Sequence, residues 1–263
     1  TGSYTSVLNN DSAAVKLIIG GIVAFFAAIV IIGGIKRIGR IASMLVPFMS
    51  LLFIAMAFVI IGKNHTAIPE TFRLIFTSAF SSKAVAGGVG GFAFSQIIKK
   101  GLARGVFSNE AGLGSSVIAH SASETREPVK QGLWGIFEVF FDTFVICTLT
   151  ALVILTTNIG SGAYENGSFF GTTNAAGDFV GASDSATALG AFSSNLGTFG
   201  TVTFLIILPL FAFTTVLAWS YYGEKAVDFC FRHMPEKKRK IPVMIFKILF
   251  ILLIVFSSLI GSD

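Results

Sequence analysis

Between Ser185 and Gly223 the chain carries no charged side chain. A membrane helix needs ~20 consecutive, mainly apolar residues, so this run holds one long span and a lead-in rich in Gly, Ser and Thr. Similar runs recur along the chain. Leu17 to Ile35 and Ile41 to Gly62 are uncharged throughout, the second with Pro47 inside it. Gln131 to Thr157 is broken only by Glu138 and Asp142, and Ile241 to Ile260 only by Lys247. Charged residues make up 13% of the whole, against roughly 25% in soluble domains. In hydrocarbon, backbone N–H and C=O groups must find partners within the protein, which restricts spans with such long apolar runs to helices. The chain is therefore an all-α polytopic membrane protein.

One further run is defective. Ala84 to Ile98 is uncharged but too short for an ordinary span, and it carries Gly87, Gly88, Gly90 and Gly91 near its start. Each glycine weakens a helix by roughly 1 kcal/mol relative to alanine. Such a break is tolerated at membrane depth where the backbone faces protein or a water-filled cavity. One explanation is close helix packing through small residues. The other is an unwound point whose free amides and carbonyls bind a carboxylate, an ammonium group or sodium. Two adjacent glycine pairs exceed what one packing contact needs and favour the second.

The +5 net charge gathers in short clusters between apolar runs and does not resemble a nucleic-acid surface. Lys36-Arg37 with Arg40, Lys99-Lys100 with Arg104, and Arg232 with Lys237-Lys238-Arg239-Lys240 alternate with poorly charged connections. The positive-inside rule places all three in the cytoplasm. About six transmembrane helices then alternate without conflict, with 99–130 a cytoplasmic connection and 158–195 an extracellular loop. Pro69-Glu70 opens an amphipathic stretch to about Phe80, too polar to span. With no initiator Met, no signal-peptide pattern and a stop just after an apolar run, the chain reads as a piece of a longer protein.

Soluble-enzyme signatures do not occur. The sequence holds no Gly-x-x-x-x-Gly-Lys loop and no Gly-x-Ser-x-Gly elbow, and His65, His120 and His233 lie in different connections without metal-ligand spacing. Cys147 and Cys230 fall in or at the end of spans, without a CxxC or Cys/His cluster. Sequons at Asn10, Asn64 and Asn166 all fall in outer connections, but such triplets are common by chance.

Four sets of polar residues could carry function. Glu138 and Asp142 are spaced i,i+4 and share a helix face. Asp142 lies about 16 Å along the helix from Gln131, where an acid costs ~2.5 kcal/mol or more and faces protein or water. It is a cation or proton partner, a member of a gate, or a structural hydrogen-bond acceptor. Thr214, Thr215 and Trp219 follow Pro209, with Thr215 and Trp219 on one side; an interfacial aromatic belt with Tyr221 and Tyr222 explains them as well. Arg104 and Glu110 flank a segment that either caps a helix through Ser108 or Asn109, or latches an inner gate. The fourth set is the glycine break.

Arg104-Gly105-Val106-Phe107-Ser108-Asn109-Glu110-Ala111-Gly112-Leu113-Gly114-Ser115 followed by Ile118-Ala119-His120 resembles the signature of the alanine or glycine:cation symporter (sodium:alanine symporter) family. Gln131-Gly132, Glu138-Val139-Phe140, Asp142-Thr143, Cys147-Thr148 and Tyr221-Tyr222-Gly223-Glu224-Lys225 fit as well. Ser116-Val117 departs from the family's usual Ala-Pro, and Arg126-Glu127-Pro128 lacks the usual histidine before the proline. The resemblance covers essentially the whole chain.

It implies a five-plus-five inverted-repeat fold similar to that of the sodium-coupled leucine transporter, of which this chain looks like spans four to nine. It also implies substrate contacts at Gly87, Gly88, Gly90, Gly91, Phe92, Thr215 and Trp219, and sodium contacts at Thr214 and Thr215. Arg104, Glu110, Glu138 and Asp142 then remain as gating residues or intramembrane acids.

The resulting expectation is a multi-pass protein of a bacterial or archaeal plasma membrane. It carries alanine or glycine together with sodium, or with a proton in sodium's place, and needs no cofactor and no other metal. A passive channel would show polar stripes on several spans, whereas only Glu138 and Asp142 form one. In a non-transporting assembly subunit the glycine run would be packing alone.

Overall fold

The computed structural model describes residues 13–80, 98–99, 101–110, 112–161, 171–173, 179–181 and 184–258. The glycine break and Phe92 lie outside these residues.

The described residues are almost entirely helical. Helix α1 (Ala13–Ile32) leads into α2 (Ile35–Lys63) through Gly33 and Gly34. Gly34 has φ +72°, a left-handed conformation that glycine adopts without a Cβ clash and that commonly ends a helix. A short 3₁₀ turn (His65–Ala67) then joins α2 to α3 (Ile68–Phe80).

Residues 98–99 and 101–108 are helical and are followed by α4 (Ser115–His120). Helix α5 (Pro128–Phe140) passes through a π-helical stretch (Phe141–Cys147) into α6 (Thr148–Gly160). Two short strands, β1 (Gly171–Thr173) and β2 (Phe179–Gly181), pair antiparallel with Thr172 opposite Val180. Helix α7 (Asp184–Cys230) and α8 (Glu236–Ser257) complete the order.

Among the described residues four helices are long and apolar enough to cross a membrane: α2, the continuous Pro128–Gly160 rod, Ser185–Cys230 and α8. Leu17–Ile32 within α1 is a shorter apolar helix. Large apolar side chains stay exposed along them, such as Leu252, Leu253 and Phe256, each about three-fifths exposed. Lipid is the solvent that accepts such a surface.

The chain divides into two compact units, residues 1–48 with 209–263, and residues 49–208. Both passages between them run through helices, one just past Pro47 in α2 and the other at Pro209 in α7. Proline removes a backbone donor and bends a helix at such points.

In the first unit α8 lies along α1, close enough that a Cβ on Gly20 would overlap the Ser258 side chain. A Cβ on Gly223 of α7 would likewise overlap the Phe246 ring of α8. Lys247 of α8 is buried here. Its Nζ pairs with Glu224 Oε2 at 3.0 Å and donates to Ile31 O at 3.3 Å, near the end of α1. Burying the Lys247 charge is tolerable because it finds a close carboxylate, itself part-buried, and a carbonyl oxygen.

The second unit has an aromatic core, with the Phe192 ring 5.6 Å from Phe53 and 4.9 Å from Phe204. Polar groups tie its helix ends together. Lys63 Nζ donates to Asn195 O at 2.7 Å, Asn64 Nδ2 to Asn195 Oδ1 at 2.6 Å, and Asn195 Nδ2 to Thr157 Oγ1 at 2.9 Å. Asn64 Nδ2 also donates to Ile60 O at 3.0 Å. The Asn64 amide thus serves the packing of these helix ends.

The stretch 158–195, expected as a loop, becomes helical at Asp184. It carries no charge from Ser185 onward and packs Ala188, Ala191 and Phe192 into the core. The bend in α7 falls at Gly197, with φ +60° and ψ −141°, so that the outer segment 184–196 and the span beyond it are separate helical pieces.

Candidate functional site

The Pro128–Gly160 rod is 33 residues long, about 50 Å at the α-helical rise. Asp142 stands near its middle, slightly closer to the Pro128 end. The π-helical stretch that holds it closes i→i+5 hydrogen bonds instead of i→i+4. The hydroxyl of Thr148 donates to Thr143 O at 3.3 Å, in keeping with the wider turn.

Two residues of the Phe107–Ser115 block reach this point. Ser108 Oγ donates to Asp142 Oδ2 at 2.7 Å. The Asn109 amide lies beside the Thr143 hydroxyl, with Nδ2 and Oδ1 each 3.2 Å from Oγ1. Asn109 Nδ2 also donates to Gly105 O at 3.1 Å, which holds the amide at the end of its own helix. Cys147 Sγ lies 4.0 Å from Asp142 Oδ2. Carboxylate, hydroxyl and amide oxygens are hard donors of the kind that suit small hard cations, and the carboxylate can instead take a proton.

Ser108 and Asn109, in the segment expected as a cytoplasmic connection, thus pack against Asp142 and Thr143 of the Pro128–Gly160 rod.

Glu110 follows with φ +50°, a left-handed conformation that few non-glycine residues adopt. Its carboxylate accepts from Ser115 Oγ, which pins the turn between the 101–108 helix and α4.

Glu138 and Asp142 do not act as one pair. Glu138 is exposed and sits 3.8 Å from His120 Nε2, while Asp142 is held by Ser108. The π stretch begins between them, so their i,i+4 spacing does not bring them to one partner. His120 is itself oriented. Ser123 Oγ donates to Gln131 Oε1 at 2.9 Å, and Gln131 Nε2 to His120 Nδ1 at 2.6 Å. An accepting Nδ1 leaves the neutral ring's proton on Nε2, which faces Glu138.

The remaining residues expected at the site belong to the other unit or fall outside the described residues. Thr214 Oγ1 and Thr215 Oγ1 both donate to Phe211 O, at 2.9 and 3.0 Å. Their hydroxyl protons are thus occupied and their oxygens can still accept or ligate. Trp219 is part-exposed and meets Tyr222 edge-on at 5.8 Å. Gly87, Gly88, Gly90, Gly91 and Phe92 lie outside the described residues.

Sequence reasoning does not reach the pairing of Ser108 with Asp142 or of Asn109 with Thr143. The available signal was the pairing of two adjacent polar doublets, Ser108-Asn109 and Asp142-Thr143, at equal separation. The buried Lys247–Glu224 pair was also missed, although each is an isolated charge at the edge of a long apolar run.

Comparison with known proteins agrees with the resemblance. The profile of the Sodium:alanine symporter family matches residues 1–263. The sodium/alanine symporter of Methanococcus maripaludis is 38% identical over 96% of this chain and 50% of its own length. A probable sodium/glutamine symporter of Bacillus subtilis is 35% identical over 92% of this chain and 45% of its own. A sodium/proton-dependent alanine carrier of Bacillus sp. PS3 is 32% identical over 95% of this chain and 54% of its own. The chain spans about half the length of the curated relatives it matches. It belongs to the sodium:alanine symporter family, whose members are membrane transporters and not enzymes.

Proposed function

We propose that the protein carrying this chain is a secondary active transporter that moves a small neutral amino acid, alanine or glycine, together with sodium. The observation that carries the reading is Asp142, a carboxylate near the middle of a spanning rod and tied to Ser108 at 2.7 Å. A carboxyl group in a span is costly to place there and offers hard oxygens to a cation or a proton. The names of the relatives, which include sodium/alanine and sodium/proton-dependent alanine transport, support the pairing of substrate and ion. A relative named for glutamine makes side-chain size the open variable.

In this reading the fold is the five-plus-five inverted repeat, with the chain contributing spans four to nine. The unwound backbone of Gly87, Gly88, Gly90 and Gly91 receives the zwitterion. Phe92 and Trp219 limit the side chain, and Thr214 and Thr215 offer hydroxyl oxygens to sodium. Cation binding offsets the charge of Asp142 and weakens its hold on Ser108. The helix through 101–108 is thereby released for opening toward the cytoplasm, where Arg104, Glu110 and Glu138 respond. Only a cation that binds the two arrangements differently can shift them.

The test is uptake of labelled alanine by proteoliposomes with and without an inward sodium gradient, with glycine and glutamine as competitors. Uptake that depends on sodium and is abolished by Gly88→Leu or Gly91→Leu is expected. Sodium-independent equilibration at wild-type rates in those variants would overturn the reading and favour a channel.

A further inference from the structure

The turn between α7 and α8 concentrates cations, most of which no described carboxylate neutralises. Arg239 is paired with Asp228 at 2.9 Å. Arg232, Lys237, Lys238 and Lys240 are exposed and form no ion pair with a described carboxylate, and Glu236 is the one acid between residues 229 and 241. Arg232 lies over the Phe229 ring at 4.7 Å, and Phe229 is itself two-thirds exposed. Backbone bonds from Met234 N to Phe231 O at 2.9 Å and from Lys238 N to Pro235 O at 2.9 Å keep the turn tight.

An apolar stripe continues from these cations along α8. Lys237, Ile241, Met244, Ile248 and Leu252 follow one another at helical spacing, and all are exposed. The stripe's apolar part, Ile241 to Leu252, is about 16 Å long at 1.5 Å per residue, enough for most of an extended acyl chain. A cationic head above an apolar track of this length is complementary to an amphiphile and not to a free ion.

We propose that this turn and stripe form a binding surface for an anionic phospholipid, with its phosphate between Lys237, Lys238, Lys240 and Arg232 and an acyl chain along Ile241 to Leu252. The positive-inside rule assigns the surface to the cytoplasmic leaflet. Basic residues beside a span attract anionic headgroups, and the attraction falls with ionic strength. The other basic segments are partly committed within the protein. Arg37 donates to Ile29 O at 3.1 Å, and Arg104 has a partner of its own.

The experiment is native mass spectrometry of the purified protein offered phosphatidylglycerol and phosphatidylcholine. The wild type should retain phosphatidylglycerol preferentially, and the preference should fall with added salt. The variant Lys237→Gln/Lys238→Gln/Lys240→Gln should lose that preference by roughly tenfold or more, whereas Arg at the same three positions should keep it. A triple Gln variant with the wild-type preference would overturn the proposal. So would displacement of the lipid by millimolar inorganic phosphate, which would mark a free-phosphate site. If the triple variant fails to fold, the salt titration of the wild type decides: a preference insensitive to salt would equally refute it. None of these outcomes depends on whether the protein transports an amino acid.

Discussion

Ser108 Oγ and Asp142 Oδ2 are 2.7 Å apart although 34 residues separate them in the chain. The contact joins the end of the 101–108 helix to the π-helical centre of a span, and Asn109 with Thr143 repeats it one position further along both segments. A doubled contact fixes register as well as distance. It also means that whatever changes the charge at Asp142 is felt directly by the polar block.

Asp142→Asn should remove the sodium dependence of uptake while leaving the fold intact, because the amide keeps the size and an acceptor for Ser108. Ser108→Ala removes one hydrogen bond to a charged group, worth about 1.5 kcal/mol, and should shift half-saturating sodium by about tenfold. Initial-rate uptake across a sodium titration measures both. Wild-type sodium curves in the two variants would remove Asp142 from the coupling mechanism.

Lys247→Met should be destabilising, by about 1–3 kcal/mol, because it leaves the part-buried Glu224 carboxylate without its close partner. The double variant Lys247→Met/Glu224→Met should recover most of the loss. Thermal unfolding in detergent reads the order directly, with the double variant melting above Lys247→Met alone. The reverse order would mean that Glu224 reaches water without its partner.

Gly197 holds φ +60° and ψ −141°, a combination that side-chain-bearing residues avoid at a cost of ~1–3 kcal/mol. Gly197→Ala should lower the melting temperature. Gly39→Ala is the control. Gly39 lies in a regular helix with open space about it, and there alanine should stabilise by up to about 1 kcal/mol. Equal responses at the two positions would show that the bend tolerates an ordinary residue.

Glu70 accepts two 2.7 Å hydrogen bonds from Arg73. These bonds, with a smaller contribution from the Arg73 charge, hold its carboxyl below the ordinary value near 4.5. A depressed native pKa contributes stability above the unfolded value, and that contribution is lost as pH falls through the native one. Carboxyl-resolved NMR should find Glu70 titrating below that ordinary value, and Arg73→Ala should move it upward. An unmoved titration would assign the shift to another cause.

The membrane-helix class was legible because run length and charge placement are properties of composition along the chain. Leu17–Ile35 and Ile41–Gly62 announce helices by the absence of anything a bilayer would reject. Site geometry was legible only in part. The sequence identifies Asp142 as costly and therefore purposeful, but its partner depends on where the 101–108 helix ends in space. Lys99 and Arg104 point to water and give no sign that Ser108, a few positions further on, meets Asp142. The i,i+4 spacing of Glu138 and Asp142 does not reveal that one carboxylate meets His120 and the other Ser108. No hydrophobic pattern reports a switch to i→i+5. Gly197 was hidden for a different reason: glycines recur all the way from Gly160 to Gly200, and composition does not say which of them bends the chain.

The wider turn at Phe141–Cys147 acts as a phase shift. An α-helix advances about 100° per residue, and closing a turn over one extra residue advances everything beyond it by one such step. Faces counted upstream from Phe140 and downstream from Thr148 therefore belong to two different wheels. Deleting one residue within the stretch would merge the wheels and leave Val153, now fully buried, on its present face, whereas a regular α-helix of unchanged length would turn it by about 100°.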